Sequence, residues 1–109
     1  MSERELMRSA VYNALEIGPE NAKSRLTLCF ELDCTDRVLR QLIEELRRDY
    51  PIITDDDGAG YYIPTADARG RSQTAQWIER QKRRQTSIQV ALRGAEQFIG
   101  MANEGEVGI

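Results

Sequence analysis

Apolar residues recur at helical spacing in four stretches of the chain, and two short apolar runs flank a turn. Ser2 followed by Glu5 is a capping-box start, and Leu6, Ala10, Val11, Ala14 and Leu15 then recur three and four residues apart until Gly18-Pro19 stops the run. Asn21 to Lys23 is short and polar, with room for only a token strand. Ser24 is placed to cap a second, short helix in which Leu28, Cys29 and Leu32 share a face and which ends at Asp33-Cys34. Thr35 caps a third, with Asp36 in its first turn at the positive end of the helix dipole. The segment DRVLRQLIEELRRD turns Val38, Leu39, Leu42, Ile43 and Leu46 inward and leaves Arg37, Arg40, Gln41, Glu44, Glu45, Arg47 and Arg48 outward. Pro51 prevents its continuation.

The stretch YPIITDDDGAGYYIP follows, with Pro51 to Thr54 and Tyr61 to Pro64 as apolar runs around a turn built from Asp57, Gly58 and Gly60. This predicts a β-hairpin. Residues 1–66 form the first domain and residues 67–73 a polar, small-residue connector. Residues 74–100 are then expected as one long helix, and residues 101–109 as a flexible tail. Gly94 is the helix's internal weak point, at a cost of up to about 1 kcal/mol relative to alanine. Ile78, Gln81, Gln85, Ile88, Leu92, Ala95 and Ile99 alternate spacings of three and four, a heptad-like seam that is polar in its first half and apolar in its second.

Helix, short helix, tight turn, helix, hairpin is the order of a winged helix-turn-helix. The expected fold is therefore mainly α with a small β-hairpin, a winged helix-turn-helix followed by a long C-terminal helix. The stretch SRLTLCFELDCTDRVLRQLIEELRRDYPIITDDDGAGYYIP resembles the winged-helix DNA-binding proteins of bacteriophages and mobile elements, and the resemblance covers roughly residues 4–65. Cys29 stands at that family's turn-facing small residue, and Tyr61 and Tyr62 at its aromatic pair after the wing glycine. Two positions depart from the pattern: Asp33 stands where the turn often has glycine, and the wing tip carries Asp55, Asp56 and Asp57. The resemblance implies sequence-specific binding of double-stranded DNA by a phage-type regulator of transcription or a replication accessory protein, in the cytoplasm of a bacterial host.

Composition narrows the chemistry. The 109 residues contain no histidine and two cysteines, Cys29 and Cys34, which removes most zinc and iron sites and the common catalytic triads. Both thiols are expected to be reduced and partly buried in a cytoplasmic protein. No stretch approaches the roughly 20 apolar residues that span a bilayer, so no membrane contact is expected. No glycine-rich phosphate loop precedes a helix, and hairpin-tip aspartates diverge rather than converge on one ion; no catalysis, metal or cofactor is expected. The net charge of -3 is unevenly spread. Residues 1–66 hold 8 Lys/Arg against 13 Asp/Glu, net -5, and residues 67–109 hold 7 against 5, net +2.

Arg37, Arg40, Gln41 and Glu44, spaced i, i+3, i+4, i+7, form one outward stripe of side chains able to pair with base edges: arginine with guanine, glutamine with adenine, glutamate with cytosine. The same stripe serves equally as a solvated face laced by pairs such as Arg40 with Glu44. Lys23, Ser24 and Arg25 at the start of the second helix are expected at backbone phosphate, as are Arg47, Arg48 and the tail run Arg80, Lys82, Arg83 and Arg84. Trp77 is expected to dock the tail rather than to stack on a base. Ile88, Leu92, Ala95 and Ile99 are expected to pair with a second copy, giving a homodimer with two reading helices about one turn of DNA apart. The acidity of Asp55, Asp56 and Asp57 supports another function, a winged-helix scaffold that binds a host or phage protein.

Overall fold

The computed structural model describes residues 2–55 and 60–103. The chain is mainly helical, with a two-stranded antiparallel hairpin and a long C-terminal helix: α1 (Glu3–Ala14), a single 3-10 turn (Pro19–Asn21), α2 (Arg25–Leu32), α3 (Asp36–Leu46), β1 (Ile53–Thr54), β2 (Tyr61–Tyr62) and α4 (Ala68–Asn103). It divides into two compact units, the first ending at Trp77 and the second beginning at Ile78.

The helices of the first unit start where a side-chain oxygen can take an otherwise unpaired backbone N–H. Ser2 accepts from the Glu5 N–H, Ser24 from that of Thr27 and Thr35 from that of Val38. Between α2 and α3 the chain must reverse within three residues. Asp33 does so in the left-handed conformation (φ 50°, ψ 54°), while the Cys34 N–H donates to the Cys29 carbonyl at 3.1 Å.

The core is one cluster of Val11, Leu15, Leu28, Leu39, Leu42, Ile43, Leu46 and Ile52, with Cys29, Leu32, Val38 and Tyr61 packed on its edge. Each fully buried leucine or isoleucine contributes about 2 kcal/mol of transfer free energy. On α1 the inward face is Met7, Val11, Ala14 and Leu15. Leu6 and Ala10, expected on the apolar stripe, are exposed, so the buried face is rotated from the one the sequence spacing suggests.

In the hairpin Ile53 pairs with Tyr62 and Thr54 with Tyr61. The other edge of β2 is covered. The Lys23 and Tyr61 backbones exchange two hydrogen bonds of 3.0 and 2.9 Å, and Ile17 lies parallel to Ile63. Lys23 is thus the token strand expected at Asn21 to Lys23, reduced to one bridge. Gly18 reaches this arrangement at φ 92°, and its N–H donates to the Ile63 carbonyl at 2.9 Å. Gly60, expected as a turn residue, is required for closeness: a Cβ there would lie 2.8 Å from that of Ala22. The hairpin tip, with Asp56, Asp57 and Gly58, lies outside the described residues.

α4 begins at Ala68, so the connector expected over residues 67–73 is already helical from its second residue. Asp67 is the reason. Its carboxylate accepts from the Gly70 N–H at 2.9 Å and the Thr65 hydroxyl at 2.6 Å, which holds it below the usual carboxylate range. Gly70 is needed because a Cβ would lie 1.7 Å from the Thr65 carbonyl oxygen. The helix also continues through Asn103 into the segment expected as tail, of which residues 104–109 lie outside the description. In the second unit Ile88, Leu92 and Ile99 are 54, 54 and 57 % exposed.

Candidate nucleic-acid interface

Burial of one face of α3 fixes what the other presents. With Leu39, Leu42, Ile43 and Leu46 in the core, Arg37, Arg40, Gln41 and Glu44 are all exposed along the opposite side. The left-handed turn at Asp33 then sets the start of α2 beside the start of α3. The Asp36 carboxylate takes the Arg25 Nε on one oxygen at 3.3 Å and the Arg40 Nε on the other at 3.2 Å. A residue expected at phosphate and one expected at a base are thus brought together. Arg40 pairs one turn back with Asp36, not forward with Glu44. All three side chains are about half exposed, where ion pairs are worth at most about 1 kcal/mol, so both guanidiniums can exchange this carboxylate for another anion.

Other members of the expected set are committed elsewhere. Ser24 spends its hydroxyl on its own helix, accepting from the Thr27 N–H at 3.1 Å and donating to the Thr27 hydroxyl at 3.0 Å. Lys23 Nζ donates to Glu31 at 3.0 Å. Arg47, read as outward, is drawn into packing. Its Nε donates to the Ile52 carbonyl at 2.9 Å, and its guanidinium carbon lies 5.6 Å from the Tyr61 ring centroid and 5.0 Å from that of Trp77. Burial pulls the Arg47 guanidinium below its ordinary range. Arg47 is therefore the residue on which hairpin and first turns of α4 meet, and Trp77 docks within the first unit. Arg48 is exposed and lines an open polar groove of about 510 Å³ with Arg8, Tyr12, Glu45, Asp49 and Tyr50, a groove that none of Arg37, Arg40, Gln41 and Glu44 lines.

Glu45, also read as simply outward, ties α3 to α1. It accepts from Arg4 and, at 2.8 Å, from Arg8; the Arg4 and Arg8 hydrogen bonds lower its pKa from an ordinary 4.5 to about 2. No short-range spacing in the sequence signals a pair that joins residues 41 and 37 apart. Nor does it signal that Leu26 and Phe30, one turn apart on α2, are 82 and 88 % exposed. Cys29 and Cys34 are both free thiols, and burial first, then the neighbouring Cys29, pushes the Cys34 thiol up, away from reactivity.

Of the hairpin aspartates only Asp55 is described, and it is half-buried. On α4 the run Arg80, Lys82, Arg83 and Arg84 belongs to the second unit, with Arg80 half-buried and the other three exposed. Among the described residues no helix is long and apolar enough to cross a membrane. No protein-family model, curated protein or solved structure matches this chain.

Proposed function

We propose that this chain binds double-stranded DNA in a sequence-specific manner, as a winged helix-turn-helix regulator or replication accessory protein of the bacteriophage type, acting as a dimer through α4. The observation that carries this reading is the exposed stripe Arg37, Arg40, Gln41 and Glu44 on α3, with Arg25 held beside Arg40 through Asp36. Base pairing falls to Arg37, Arg40, Gln41 and Glu44, and phosphate contact to Arg25, Lys23, Arg48 and the Arg80–Arg84 run. Ser24 and Arg47 are dropped from the phosphate set because their polar groups are used within the fold, whereas Lys23 stays in it because its ammonium has three N–H donors and gives one to Glu31.

Fluorescence anisotropy tests it, with the full chain titrated against a random-sequence duplex and fragments of its own genomic neighbourhood across a salt series. Saturable binding to one fragment, tighter than to the random duplex and weakened by salt, is expected. Absence of binding to either duplex at low salt counts for the second reading, a winged-helix scaffold that binds a protein. One observation favours that alternative: Leu26 and Phe30 form an apolar pair on α2 that the fold leaves uncovered. Phe30→Ser separates the two, leaving DNA affinity unchanged under the first and abolishing partner binding under the second.

A further inference from the structure

The second unit carries four of its apolar side chains in a stripe, with Val90 and Met101 on the opposite face. Ile88, Leu92, Ala95 and Ile99 are spaced by four, three and four residues on one face of α4, and all four are exposed. A lone helix gains nothing from gathering such residues on one side, because helices in water draw most of their stability from burying that face. We infer that this face is covered by the same segment of a second copy, running antiparallel, with Ile88 against the partner's Ile99 and Leu92 against the partner's Ala95. The inference rests on the dimeric form of the DNA-binding reading and adds to it an orientation and a register.

Two features select this arrangement. In it each of the four layers is apolar on both sides, and the large Leu92 meets a small residue, so the layers fill evenly. A parallel pair would set Ala95 against its own copy and leave a gap, and would stack Gln81 and Gln85 on their copies. Charge acts in the same direction. Arg80, Lys82, Arg83 and Arg84 crowd the first part of the unit, and a parallel pair would bring the two runs into contact, like charge against like. The antiparallel register moves residue 82 to about 35 Å from its copy, at roughly 1.5 Å per residue, several Debye lengths away. The two basic runs then stand about one helical turn of B-DNA apart, a spacing that suits phosphates on successive turns.

Sedimentation equilibrium of the full chain is expected to give a dimer, and Leu92→Asp to weaken it at least 100-fold. A spin-labelled amino acid incorporated at position 82, which leaves both native thiols in place, gives the orientation by double electron–electron resonance. A distance distribution centred near 35 Å supports the antiparallel pair; one below 20 Å means a parallel pair and overturns it. A monomer at high concentration overturns it too. A monomer that still binds its DNA fragment would leave the DNA reading standing, and a 35 Å dimer that binds no DNA would do the reverse.

Discussion

Asp36 sits where two functions compete for the same cations. It holds Arg25 and Arg40 together, and in the DNA-bound state proposed here both must leave it. Arg40→Ala is expected to cost about 1–3 kcal/mol at the cognate site, measured by anisotropy. Asp36→Asn is expected to do the opposite for random-sequence DNA, tightening binding and steepening its salt slope because a competing anion has gone. Glu45 gives a prediction about pH. Its folded-state pKa is depressed to about 2, so the stability it adds is fully present above its ordinary value near 4.5 and is lost as pH falls toward 2. Glu45→Gln should flatten the fall of melting temperature across that window and leave neutral pH as its region of greatest loss. The exposed stripe on α3 was legible because helical periodicity alone decides which side faces out. The pairing of Asp36 with Arg25, the link from Glu45 to α1, and the withdrawal of Arg47 were not, since each depends on contacts across elements that spacing does not encode.

The elements themselves were legible to the extent that their signals are local. Ser2, Ser24 and Thr35 cap the three helices they were expected to cap, whereas the third ends at Leu46, ahead of the Pro51 expected to stop it. The start of α4 was missed because residues 67–73 read as a polar, small-residue connector, whereas the missing Cβ of Gly70 is what lets the Thr65 carbonyl approach. Gly70→Ala must part that contact and is expected to destabilise the first unit by on the order of 3 kcal/mol, read by urea denaturation. Gly94 tests the contrary case: a Cβ there meets nothing within 4 Å. Gly94→Ala should therefore stabilise α4 locally by about 0.8–1 kcal/mol, seen as slower amide exchange around residue 94.

At the scale of the molecule the charge is divided between an acidic first domain and a mildly basic remainder, so the long-range field favours nucleic acid only along the remainder and affinity rests on the local phosphate contacts. A protein with six or more phosphate contacts loses about 10³-fold or more in affinity between low and moderate salt, and a chain that sets Lys23, Arg25, Arg48, Arg80, Lys82, Arg83 and Arg84 at phosphate is expected to lose as much. Replacing Lys82, Arg83 and Arg84 by glutamine should make that slope shallower while leaving discrimination between sequences intact, which a salt series on both duplexes checks. The packing of Arg47 on the Trp77 ring has a consequence for any such experiment. The chain holds one tryptophan, and it lies at the end of the first unit with a cation beside its ring. Its emission is a natural optical label for that unit alone, whereas far-ultraviolet circular dichroism sums every helix, so a single denaturation run recorded both ways separates the melting of one from that of the whole.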